Sequence, residues 1–128
     1  MSYYFAKILD MPFQEAIDKV SAELKKEGFG ILTQIDVQET LKKKLDVDFR
    51  KYYILGTCNP PFAHRALQAE PRIGLMLPCN VVVQETADGK IEVAAIDPVA
   101  SMQAVGNRKL LEVAQEVRGK LKKVIDNL

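Results

Sequence analysis

The chain has no tryptophan, one histidine and two cysteines among its 128 residues. Without Trp it lacks a common anchor of stacking and interface contacts. A single His excludes the two-histidine helix of His-Glu-x-x-His hydrolases. Two cysteines are too few for a disulfide scaffold, and with no Cys-x-x-Cys spacing they make no strong zinc motif. Charge of one sign is missing as well: 18 Lys and Arg stand against 17 Asp and Glu, a formal net charge of +1. No long-range field therefore draws nucleic acid or an anionic membrane surface. The longest apolar runs fall far short of the roughly 20 residues of a membrane span. The opening MSYYFAKILDMP has neither the apolar stretch nor the small-residue cleavage site of a secretory signal. Glycine-rich phosphate loops, linkers, low-complexity tracts and internal repeats are absent too. These absences lead us to expect one cytoplasmic domain over residues 1–128, with no nucleic-acid and no membrane partner.

What is present is a strong pattern of alternating elements. SYYFAKIL, rich in aromatic and β-branched residues, predicts a first strand. In PFQEAIDKVSAELKKEG, Phe13, Ala16, Ile17, Val20 and Leu24 recur at helical spacing, with Asp10 as the expected cap and Gly28 as the stop. FGILTQI predicts a strand. DVQETLKKKL predicts a short helix opened by Asp36 and Glu39, with Leu41 and Leu45 inward and a lysine-rich solvated face. YYILGT and PPFAHRALQAE predict the next strand and helix. RIGLMLPCNVVVQE and KIEVAAID predict two strands joined by an Asp88-Gly89 hairpin turn. After Asp97-Pro98, a turn signal, a loop is expected to lead to a helix over residues 107–126, with Leu110, Leu111, Ala114, Val117, Leu121, Val124 and Ile125 as its stripe. The fold class is α/β (α+β): a two-layer sandwich, one mixed sheet covered by helices, with a late hairpin and a C-terminal helix.

The rarest chemistry lies in one stretch, LGTCNPPFAHRALQAEPRIGLMLPCNVVV, residues 55–83. Asn59-Pro60 reads as a helix start, Asn accepting from free N–H groups and Pro filling the first position. Cys58, just before that cap, feels the positive end of the helix, which favours a thiolate, and Arg65 curling back adds to the effect. The plain alternative is a small side chain that fits the turn. On the helix, Phe62, Ala63, Ala66 and Leu67 share a face, while His64 and Gln68 point the other way, toward solvent, a loop or a partner. That geometry sets His64 apart from Cys58 and weakens a nucleophile–base dyad. Cys79 shares a strand face with Leu75, Leu77, Val81 and Val83 and reads as packing. Pro78 removes a ladder donor, so it predicts an edge strand or a bulge, and a bulge turns Cys79 or Asn80 outward. Cys58, Cys79 and His64 make at most a three-ligand metal site. Met102 either lines a pocket or packs beneath one.

The blocks GFGILTQID, GTCNPPFAHRAL and GLMLPCNVVV are similar to those of the bacterial and archaeal domain-of-unknown-function 302 family, and the likeness runs over nearly the whole chain. The resemblance implies a compact α/β fold assembled as a dimer, and no established reaction. Its motif positions correspond to Cys58-Asn59-Pro60, His64-Arg65 and Pro78-Cys79-Asn80. No recognisable catalytic constellation accompanies them. The leading functional expectation is a small-ligand binding or sensing module, its ligand anionic or thiol-reactive. The site residues expected are Cys58, Asn59, His64, Arg65, Cys79 and Asn80. One alternative is a non-enzymatic homodimer using the His64/Gln68 helix face or the C-terminal helix. Another is thiol-redox or soft-metal chemistry at Cys58.

Overall fold

The computed structural model describes residues 2–128. In chain order its elements are β1 Tyr4–Leu9, α1 Phe13–Lys26, β2 Gly30–Asp36, α2 Val37–Leu45, β3 Tyr52–Cys58 and α3 Pro60–Ala69. They continue with β4 Cys79–Glu85, β5 Ile91–Ile96, α4 Pro98–Met102 and α5 Arg108–Asp126. The strands form one sheet in the order β1-β5-β4-β3-β2. Helices α1 and α5 pack on one of its faces. Alternation along the strands sends Leu55, Val81, Val83, Val93 and Ala95 to that face, where each is buried against the helices. Ala16, Ile17, Val20 and Leu24 of α1 meet them, as their spacing predicts. The α5 stripe is likewise spent inside the chain, so it is not free to face a partner.

Every neighbouring pair in the sheet is antiparallel, so the expected mixed sheet is corrected. Alternating strands and helices resemble parallel crossovers, but α2 links two adjacent strands, and so does α3 with its following turn. Each returns the chain antiparallel to the strand it left.

Capping sets several boundaries. The Asp36 carboxylate accepts from the Glu39 N–H at 3.0 Å and starts α2 as predicted. Asp10 does not cap α1; Pro12 occupies that position with no side-chain bond. Gly28, at φ +87°, ends the helix in the left-handed conformation that glycine tolerates. Leu45 is 66% exposed, and no residue of α2 is buried, so the expected inner face of this helix is corrected. Leu41 is half-buried, and Gln38 of the same helix donates to the Phe49 carbonyl at 2.9 Å. Asp97 caps an unanticipated short helix, α4, by accepting from the Val99 N–H at 3.0 Å. Its other carboxylate oxygen accepts from Arg118 Nε at 3.0 Å.

The largest departure lies before β4. Ile73–Met76 forms a tight 3₁₀ turn rather than strand, and Leu75 is 86% exposed instead of inward. Pro78 precedes the first residue of β4, where no ladder donor is required. It therefore marks neither an edge nor a bulge: β4 lies in the interior of the sheet, between β5 and β3. The register shift falls instead on the true edge, β2, between Ile31 and Thr33.

Candidate functional site

Thr57 and Cys79 face each other across β3 and β4, and the Thr57 hydroxyl donates to the Cys79 carbonyl at 2.8 Å. Beyond this pair β3 runs through Cys58 and Asn59 directly into α3. The helix tilts over the end of the sheet and turns Phe62, Ala63, Ala66 and Leu67 toward a cavity of about 350 Å³. Val113, Ala114 and Val117 of α5 form the facing wall. Met102 and Pro98 close it beside α4, Phe29 and Leu32 close it beside β2, and Leu77, Pro78 and Cys79 complete it. Small side chains at Ala63, Ala66 and Ala114 leave the volume open.

The cavity gathers Cys58, Asn59 and Cys79 from the expected site, and leaves out the other three residues. His64 is exposed on the outer side of α3, as the helical spacing predicts. Arg65 does not curl back toward Cys58. Its guanidinium donates to Glu116 at 2.7 Å and lies 5.5 Å from the Phe62 ring centre. Asn80 is exposed on the other face of the sheet, opposite Gly56. Among the described residues no three His, Cys, Asp or Glu gather in a way that could hold a metal ion.

Asn59 begins α3 by position, but its side chain does not cap the helix, which corrects the sequence reading. With prolines at both of the first two helical positions, two of the usual donors are missing. The Asn59 amide donates instead to the Glu27 carbonyl at 3.0 Å, tying the start of α3 to the end of α1. A Cβ on Gly28 would sit 3.2 Å from that amide nitrogen, so glycine serves there both as helix stop and as clearance. The Thr57 hydroxyl and the Asn59 amide nitrogen of the lining each donate to a carbonyl of the chain. Among the described residues no Lys, Arg or His lines the cavity.

Burial pushes the Cys79 thiol up to about 11, and the nearby Cys58 adds to the effect. At pH 8 its thiolate fraction is on the order of 10⁻³, so alkylation should be several hundred-fold slower than for an ordinary thiol. Mass-spectrometric labelling across pH 7–11 reads this directly, and a Cys79 rate that levels off near pH 9 contradicts it. The same burial acts on stability. Between about pH 9 and 11 the unfolded thiol ionises while the native one keeps its proton, so stability falls as pH rises through that window. The loss approaches about 2–3 kcal/mol. Cys79→Ala should lack that component.

Sequence reasoning reached the α3 wall, both cysteines and Met102. It missed Phe29, Leu32 and the α5 wall, which read only as ordinary apolar positions and come together solely through the fold.

The architecture is an α+β sandwich, one antiparallel sheet with α1 and α5 on one face, and an apolar cleft where β3 and β4 meet α3 and α5. The chain belongs to the family described as "Domain of unknown function DUF302", whose profile matches residues 5–128. A crystal structure of an uncharacterised conserved DUF302 protein from Bacillus stearothermophilus superimposes with a TM-score of 0.91. It is 29% identical, and the match covers 98% of each chain. An uncharacterised protein of Aquifex aeolicus (strain VF5) is 25% identical over 114 residues, spanning 89% of this chain and 72% of that one. Among the described residues no helix is long and apolar enough to cross a membrane.

Proposed function

We propose that this protein binds a small, largely apolar molecule in the cleft between α3, α5 and the ends of β3 and β4. The carrying observation is a cavity of about 350 Å³ with largely apolar walls, in which the Thr57 hydroxyl and the Asn59 amide nitrogen already donate within the chain. Ligand sites fall within roughly 300–1,000 Å³ and are lined mainly by apolar side chains. An anion finds no such support, because Arg65 is engaged with Glu116 and the start of α3 carries two prolines. The two thiols in the wall, Cys58 and Cys79, favour a ligand that tolerates or seeks soft sulfur contacts.

A panel of small apolar and electrophilic compounds, scored by thermal unfolding, tests this reading. A ligand at 100 times its Kd adds about 2.7 kcal/mol of stability. Ala63→Phe fills the cleft from α3 and should abolish that shift while keeping the native circular dichroism. A panel without a binder, or binding unaffected by Ala63→Phe, overturns the proposal.

A further inference from the structure

Asn59 carries an acceptor that the chain leaves unused. The residue is 8% exposed, and its amide nitrogen donates to the Glu27 carbonyl at 3.0 Å. A carbonyl accepts only from N–H, so this bond also settles which end of the amide is the oxygen. Oδ1 does not cap α3, and among the described residues no backbone or side-chain donor reaches it. The sequence supplies the reason. An Asn before a helix serves the N–H of the second or third helical residue, and here the second is Pro61, which has none. Among the described residues no buried side-chain oxygen is sealed off without a partner, so Oδ1 keeps an open side. Asn59 lines the cleft with Phe29 and Phe62, and the space left to that oxygen is the cleft itself. The Glu27 bond and the close approach of Gly28 hold the amide in place, so the acceptor is fixed before any ligand arrives.

We propose that the cleft selects a neutral molecule with an apolar body and one O–H or N–H donor, the donor resting on Asn59 Oδ1; an alcohol or phenol is the simplest case. This rests on the reading of the cleft as a ligand site and adds what the site selects. Charge argues for a neutral ligand. Among the described residues no Asp, Glu, Lys, Arg or His lines the cavity, so a carboxylate or an ammonium would be buried there without a counter-charge. A carboxylate would also set a second acceptor against Oδ1. Size sets the body. A dry cavity of about 150 Å³ admits benzene, so about 350 Å³ admits roughly two fused rings or a chain of similar bulk. The donor follows from the cost of its absence. A ligand that covers Oδ1 without donating shuts out solvent and leaves a buried acceptor unpaired, and a site of this kind rejects such a ligand. The Cys58 and Cys79 sulfurs accept only weakly, so they do not compete for the donor.

Titration calorimetry with naphthol, its methyl ether and the matching naphthoate anion tests this. Naphthol should bind about tenfold more tightly than the anion, and than the ether, which has the rings without the donor; one neutral hydrogen bond supplies that ratio. Asn59→Leu keeps the bulk and removes the oxygen. It should bring naphthol to the affinity of the ether and leave the ether unchanged. If that variant, which also loses the Glu27 tie, does not fold, the wild type supplies a second reading. The resonance of the Asn59 side-chain carbonyl should then move with naphthol and stay with the ether. Equal affinity for naphthol and ether, both lost in Ala63→Phe, overturns this inference and leaves the cleft a ligand site. A naphthol preference that survives Asn59→Leu overturns it as well. So does no binding of the three, with the wider panel deciding the cleft. Binding indifferent to Ala63→Phe overturns both readings.

Discussion

Gly56→Ala should destabilise this protein by about 3 kcal/mol, at the upper end of what one added methyl costs. Gly56 lies in the middle of β3, where a Cβ would overlap the Thr33 hydroxyl on one side and approach Pro78 Cγ to 2.8 Å on the other. Thr33 belongs to β2, and its β-branched side chain has little freedom to withdraw. Pro78 is a ring fixed at the entry to β4. The three residues form a stack across adjacent strands that closes only if the middle one is glycine. Urea unfolding of the variant measures the loss, and adding Thr33→Ala should return part of it by removing one of the two clashes. A Gly56→Ala protein within 0.5 kcal/mol of wild type, about the spread of a neutral surface substitution, shows that the strands can move apart at no cost.

Leu55→Ala, one residue earlier, should cost about 4 kcal/mol through the opposite fault, an unfilled cavity. Leu55 is fully buried in β3, between β4 and the edge strand β2, beneath the helical layer. Its neighbours Val81 and Val83 are themselves short and anchored to the sheet, so they cannot collapse into the gap. Leu45→Ala is the matched control. It removes the same atoms from a side chain that is largely in water, and it should change stability by less than about 0.5 kcal/mol. Parallel denaturation of the two variants separates burial from residue type. Equal losses contradict the assignment of the core to one face.

These two neighbours show what was legible in the sequence and what was not. The aromatic and aliphatic run YYILGT marks β3, but each of its faces carries a tyrosine and an aliphatic side chain, so that Leu55 rather than Ile54 points inward is decided by the fold. The reason for glycine at 56 cannot be read there, because Thr33 and Pro78 come to it from β2 and from the turn before β4. The same division holds elsewhere. Helices α1 and α5 announce themselves by long periodic stripes, and the Asp88-Gly89 turn marks its hairpin. RIGLMLPCNVVV misleads, because an unbroken apolar run carries no sign of where a 3₁₀ turn ends and a strand begins. Leu75 and Leu77 have the alternation of a strand, yet the chain turns there to bring α3 back into β4. Asn59 is a lesson in competition: its residue type favours a cap, but the Glu27 carbonyl, set beside it by Gly28, takes the amide. In the cleft, the α3 wall followed from helical spacing. The α5 wall did not, because a stripe that lines a cavity and one that fills a core have the same period.

The pairing of β1 with β5 bears on how the chain reaches this structure. Tyr4 joins Ile96 and Leu9 joins Ile91, so the first strand finds its place only against the last. Strands β4 and β5 meet through a tight turn, and β3 meets β4 through α3 and the segment that follows it. Closing those loops costs less chain entropy than spanning from β1 to β5. The order of assembly therefore runs outward from the β3-β4-β5 centre, with β1 docking late, and long-range pairing of this kind slows folding relative to helical domains of the same size. Until β1 arrives, β5 is an unprotected edge, and during that interval the chain is most exposed to pairing with a neighbour.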